Sequence, residues 1–217
     1  MKKSIVTITL ASLMMISGMT FTGCKKGAND PALSLKSRKG RLAGDWKLVK
    51  VEGTSKSYFT SGNSSSLTVT NYSYDGTTMT ENSTNTFTMG GNSTSSTSTT
   101  VYPFSIDATF DKKGYYKMVT NDDGNIITSE GSWAFIGRSK NADLKNKEAI
   151  AMSEEKYSNT GNNSTSTTEG EFYFGADMVY ILDKLSSKEM IVKMKYKTTY
   201  GDGDYYDYDW TMTFEKK

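Results

Sequence analysis

From residue 44 onward, apolar and polar side chains alternate with a period of two, broken by short clusters of Gly, Asn and Asp. That is the pattern of half-buried β-strands joined by turns. Phe104, Ile106, Ala108 and Phe110 share one face, with Ser105, Asp107 and Thr109 opposite. Asp111-Lys112-Lys113-Gly114 makes a tight connection into a strand where Tyr116 and Met118 are in phase, and residues 121–125 turn the chain again. Ile127, Trp133 and Phe135 are in phase over the next strand, and residues 147–153 and 177–183 predict two more. The last hairpin is the best defined. Met190, Val192, Met194 and Tyr196 alternate with Ile191, Lys193, Lys195 and Lys197, and beyond residues 201–204 Tyr206, Tyr208, Trp210, Met212 and Phe214 alternate with Asp207, Asp209, Thr211 and Thr213. Placing Tyr196 opposite Tyr208 sets Lys197 against Asp207 and Lys195 against Asp209, so both faces support one register.

Two tracts, residues 54–100 and 158–169, consist mainly of Ser, Thr, Asn and Gly. Long solvated hairpins account for them, since Thr sits well in strands and Ser-Gly-Asn in turns. Ahead of the β region, residues 33–42 predict a short helical turn with Leu35 and Leu42 as apolar positions and Ser34 as a cap.

The start of the chain follows a different logic. Lys2-Lys3 precedes a mostly apolar stretch, residues 5–19, and Phe21-Thr22-Gly23-Cys24 follows. The stretch is too short and too interrupted by Thr, Ser and Gly for a transmembrane helix, and its layout is that of a signal peptide. Its end resembles the lipobox of bacterial lipoproteins, with Phe21 in place of the usual Leu. The resemblance implies cleavage before Cys24, the only cysteine, and attachment of two or more acyl chains there, enough for stable anchoring. The predicted organisation is a signal peptide over 1–23, a lipidated tether over 24–33 and one β domain over 34–217. The predicted address is the cell envelope, lipid-anchored at the outer membrane. Lys25 and Lys26 follow the cysteine where surface-exported lipoproteins often carry acids, which favours the periplasmic face.

Composition narrows the chemistry. Removing residues 1–23 takes away two of 26 basic residues and none of 24 acidic ones, so the mature chain is charge-neutral and has no electrostatic footprint for nucleic acid. It contains no histidine, and its one cysteine is assigned to the lipid. Imidazole and thiolate chemistry are therefore out of reach, and no cofactor or metal is implied. Acidic residues gather in turns beside Gly or Asn, and Asp202, Asp204, Asp207 and Asp209 lack the spacing of a calcium loop. A non-enzymatic role is expected.

Several segments, in order, resemble lipocalin-like lipoproteins of Gram-negative bacteria: the lead-in from Cys24, Gly44-Asp45-Trp46-Lys47-Leu48, Phe110-Asp111-Lys112-Lys113-Gly114-Tyr115-Tyr116, Gly131-Ser132-Trp133, and residues 181–190. The resemblance implies an all-β fold: a single antiparallel, up-and-down, lipocalin-like barrel of about eight strands with a short N-terminal helix. It also makes Trp46 a plug at one barrel end. The arginine that usually packs over this Trp is missing, and Lys216 or Lys217 would replace it poorly.

Trp133, Phe135, Tyr180, Met194, Tyr196 and Tyr208 fall on inward faces toward the middle of such a barrel. They would either line a cavity for a small apolar or amphipathic ligand or fill the barrel solid. The first leads to a membrane-anchored ligand binder. The second leads to a structural or accessory envelope lipoprotein that contacts a protein partner, whose identity the sequence does not give.

Overall fold

The computed structural model describes residues 37–136, 148–161, 164–169 and 178–217. The signal peptide, Cys24, the tether, Ser34 and Leu35 lie outside the described residues. A short helix, α1 (Arg38–Leu42), precedes eleven strands: β1 (Gly44–Ser61), β2 (Ser64–Tyr74), β3 (Thr78–Met89), β4 (Asn92–Phe110), β5 (Tyr115–Asp122), β6 (Asn125–Ile136), β7 (Glu148–Gly161), β8 (Ser164–Glu169), β9 (Met178–Leu185), β10 (Glu189–Thr199) and β11 (Tyr205–Lys216).

All pairings are antiparallel, and the sheet closes on itself. Eight strands complete a ring in the order β1-β4-β5-β6-β7-β9-β10-β11, with β11 back on β1. The seam between β1 and β4 is short, Gly44–Lys47 against Asp107–Phe110. The expected count of about eight strands is therefore too low for the whole sheet. Beyond the seam β2 and β3 insert between β1 and β4, so the wall there has ten strands, and β8 pairs with β7; the Ser/Thr tracts form long hairpins paired along their full length. β2 and β3 match from Ser64↔Met89 to Tyr74↔Met79, and β3 and β4 from Thr78↔Pro103 to Met89↔Asn92. Side-chain ladders accompany them, among them Thr70–Ser83 at 2.9 Å, Thr86–Ser95 at 2.9 Å and Thr88–Ser93 at 2.8 Å. This blade projects beyond the ring, and residues 91–101 are exposed throughout.

The last hairpin has the register read from the sequence: Tyr196 faces Tyr208, Lys195 faces Asp209 and Lys197 faces Asp207, with Lys195 Nζ 3.1 Å from Asp209. Outward positions elsewhere are also charged. Lys47, Lys50, Glu52 and Lys56 follow one another along β1, and Lys117 on β5 meets Glu130 on β6 at 2.7 Å. A barrel spanning lipid would present an apolar band at these positions, so this outer face belongs in water.

The core sits at the seam end. Trp46, Leu48, Val51, Phe110, Tyr116, Ile150, Leu182, Leu185, Met190 and Phe214 are buried there. Five residues do not sustain a helix alone, so α1 is held by what it covers. Leu42 is fully buried, and its carbonyl accepts from Trp46 Nε1 at 2.7 Å. The N-cap is Ser37, not Ser34: its Oγ accepts from the Gly40 amide at 3.0 Å.

Candidate functional site

The two ends of the ring differ, and the difference decides where a guest molecule fits. At the closed end α1 lies across the opening. Arg41 is fully buried and donates to Leu185 O at 2.8 Å, and Arg38 pairs with Glu148. Lys216 reaches over the Trp46 ring with its ammonium 4.9 Å from the centroid, and donates to Arg41 O at 2.8 Å and Ala43 O at 2.6 Å. Lys216 thus packs on the Trp and ties the helix to the last strand. Gly44 explains how the stem fits. A Cβ there would lie 2.6 Å from Lys216 Cε, and Gly44 has φ +128, where L side chains are strained.

Above this lock the barrel is packed. The interior leaves an apolar cavity of about 30 Å³, lined by Ile106, Met118, Ile150, Tyr180, Val192 and Met212 among others. Small-molecule sites occupy roughly 300–1,000 Å³, an order of magnitude more than this space. Burial, with the nearby Tyr116 phenol as a lesser cause, pushes the Tyr180 hydroxyl up to about 12 and keeps it neutral. Tyr116 shares a hydrogen bond with Ser129 at 3.0 Å, and Ser129 donates to Glu154.

Toward the open end the inward side chains form successive cross-strand rungs. The last buried rung runs Val192, Met212, Val51, Tyr74, Met79, with Tyr102 continuing it half-buried. The next is Met194, Trp210, Gly53, Tyr72, Glu81. Gly53 makes this rung possible, since a Cβ there would lie 2.6 Å from Trp210 Cδ1. The indole folds over the bare backbone and meets Tyr72 at 4.7 Å between centroids. The Tyr72 hydroxyl lies 3.2 Å from Ser55 Oγ. Trp210 Nε1 is shielded and has no hydrogen-bond partner among the described residues.

Two carboxylates join this aromatic rung. Glu81 accepts from the Tyr102 hydroxyl, and Asp122 pairs in register with Phe104 one strand further round. Burial, then the charges of Glu81 and Asp123, raise the Asp122 carboxyl above its ordinary value. Burial and the bond to Glu81 raise the Tyr102 phenol, which stays protonated as a donor. The rung beyond it is Tyr196, Tyr208, Ser55, Thr70 and Ser83. The arrangement offers aromatic faces and two carboxylates at one mouth.

The six residues predicted to share a cavity are dispersed along the barrel. Trp133 and Phe135 belong to the closed end. The Trp133 indole donates to Asp111 O at 3.2 Å and its ring meets Phe110 and Phe135, while Lys39 and Arg38 lie over the two rings. Tyr180 borders the small cavity. Met194 is on the Trp210 rung and Tyr208 on the next one out, and Tyr196 is 54% exposed. Alternation assigns a residue to a face but not to a height, so one inward set is spread over the whole barrel. Trp46 lies fully buried at the closed end. Glu81, Asp122, Tyr72 and Gly53 were not picked out from the sequence. Counting rungs back from the Tyr196–Tyr208 pair through paired β1, β2 and β3 would have reached all but Asp122.

No protein-family model and no curated protein matches the chain. Among solved structures, a porin-like protein from Bacteroides uniformis ATCC 8492 is 13% identical over 78% of this chain and 96% of that one, with a TM-score of 0.25. At that TM-score the likeness assigns neither a topology nor a role to this chain.

Proposed function

We propose that the chain is a lipid-anchored, lipocalin-like envelope protein, held at the periplasmic face of the outer membrane through Cys24, that binds a small amphipathic molecule at its open end. The rung Trp210-Gly53-Tyr72-Glu81 carries this reading: an aromatic surface lies beside the carboxylates Glu81 and Asp122, which accept from a cationic head. Aromatic faces attract organic cations, more so where water is excluded, and the two acids favour the same sign. The guest is an apolar body with a positively charged, hydrogen-bonding head, seated above the packed core. The lipocalin-like assignment is supported by the Gly44-x-Trp46 motif, its covering lysine and the helix across the closed end.

Native mass spectrometry of the mature protein, extracted gently from its envelope, tests the proposal together with tryptophan fluorescence. An added mass, and quenching by a cationic amphiphile below its micelle concentration that an anionic amphiphile of equal chain length does not produce, are expected. Glu81→Gln should weaken the cationic probe selectively. A clean apo mass with no preference between the probes defeats the reading. The 30 Å³ interior then favours the second one, a filled barrel that serves as a scaffold for a protein partner. Crosslinking in cells that returns only monomer would count against that.

A further inference from the structure

Among the described residues, the turns at the two ends of the barrel carry opposite charge. At the closed end are Lys112 and Lys113 in the β4–β5 turn, Lys188 in the β9–β10 turn, Lys39 on α1 and Lys217 at the last residue, all exposed. At the open end the turns carry Asp122, Asp123, Asp202 and Asp204, and no basic residue among those described. The closed-end acids among the described residues are largely engaged. Glu148 pairs with Arg38, Glu189 with Lys184 and Asp107 with Lys217. Asp111 is folded into its own turn, accepting from the amides of Lys113, Gly114 and Tyr115. Asp45 and Glu215 remain exposed. Among the described residues Lys112, Lys113 and Lys188 form no ion pair.

The chain also enters the domain at this end. Ser37 caps α1, which packs on Trp46, and only 13 residues separate it from Cys24 inclusive. Fully extended, they span no more than about 45 Å. Lys25, Lys26 and Lys36 outnumber the single acid, Asp30, along that stretch.

We infer that the closed end is a docking face for the anionic headgroups of the bilayer that holds the anchor, with Lys39, Lys112, Lys113, Lys188 and Lys217 as its contacts. This rests on the proposed acylation of Cys24. Two observations select the occupant: charge complementarity, and a tether that starts on this face and is too short to let it travel far. Between the β9–β10 turn and the C-terminus an open depression of about 520 Å³ is lined by Ser187, Lys188, Glu189, Glu215, Lys216 and Lys217. The docked pose puts it against the headgroup layer and turns the acidic open end away from the membrane. Juxtamembrane lysines gain from a negative surface only within a Debye length, so contact is short-range and salt-sensitive.

The test uses the mature acylated protein, reconstituted into vesicles of phosphatidylcholine alone or mixed with phosphatidylglycerol, floated and labelled with an amine-reactive acetylating reagent. Mass spectrometry reads each lysine. On anionic vesicles the labelling of Lys112, Lys113 and Lys188 should fall about fivefold or more relative to neutral ones. Lys56 and Lys195, on the walls away from the closed end, should not change. High salt should abolish the difference. Lys112→Glu with Lys188→Glu should still float while Lys39 and Lys113 lose their protection. Equal labelling on both vesicle types, or equal protection of Lys56 and Lys195, overturns the docking face while leaving the anchor standing. Protein that does not float removes the anchor, and the proposal with it.

Discussion

Lys216 joins three parts of the closed end, and replacing it by Met separates them. The side chain makes two charged hydrogen bonds, to Arg41 O at 2.8 Å and Ala43 O at 2.6 Å, and covers the Trp46 ring at 4.9 Å. Hydrogen bonds from a charged donor contribute about 1.5–3 kcal/mol each, and a cation over a ring about 0.5–2 kcal/mol. These do not add, because removing the ammonium also removes the cost of desolvating it. A net loss of about 2–4 kcal/mol is the working value for Lys216→Met. Methionine keeps most of the apolar stem, so the loss reports on the charge and its two acceptors. For a domain of this size each kcal/mol shifts Tm by roughly 2–4 °C, and equilibrium urea unfolding gives the free energy directly. Lys217→Met is the control. Its ammonium is half-exposed and pairs with Asp107 at 2.8 Å, an interaction worth at most about 1 kcal/mol. If Lys216→Met lies within about 0.5 kcal/mol of wild type, or Lys217→Met costs as much, the lock described here does not hold the closed end together.

Three other perturbations test other levels of the structure. Gly53→Val drives a side chain into Trp210 Cδ1, 2.6 Å from where a Cβ would sit. It should cost about 1–3 kcal/mol and shift the tryptophan emission as the indole is displaced. Asp122 has a raised carboxyl pKa, so its native form prefers the proton. Stability is therefore lost as pH rises from the ordinary carboxylate value through the raised one, and Asp122→Asn should unfold at higher urea at neutral pH while binding the cationic probe less well. Asp111 has the opposite shift, lowered chiefly by the amides it accepts from. Its stabilisation is present above the unfolded pKa of about 3.9 and disappears as pH falls through the lower folded value, so Asp111→Asn should flatten the acid limb of a stability–pH curve below about pH 4.

Much of the fold was legible because period-two alternation fixes faces, and complementary charges fix register where both faces carry a signal. Lys195 and Lys197 opposite Asp209 and Asp207 determined the last hairpin for that reason. The Ser/Thr tracts offered no such contrast between faces, so their extent as paired strands could not be read from hydrophobicity. Buried charge misled in another way. Arg38, Arg41 and Lys216 look like surface residues until the helix carbonyls, Glu148 and the Trp46 ring supply partners. The open-end rung stayed hidden because its key member, Gly53, contributes space and no side chain.

The strands are longer than the ring requires. β1 has 18 residues and β4 has 19, roughly 60 Å each at about 3.3 Å per residue. Only four residues of each meet at the seam that closes the barrel. In the docked pose proposed above, the blade would point away from the bilayer as a standoff whose height is set by hydrogen-bonded strand length and not by a linker that thermal motion can fold back. From Asn92 to Val101 its outermost strand carries no charged residue. A partner at the tip would meet hydroxyls and amides together with the exposed side chains of Phe59, Phe87 and Met89, a contact that owes little to ionic strength.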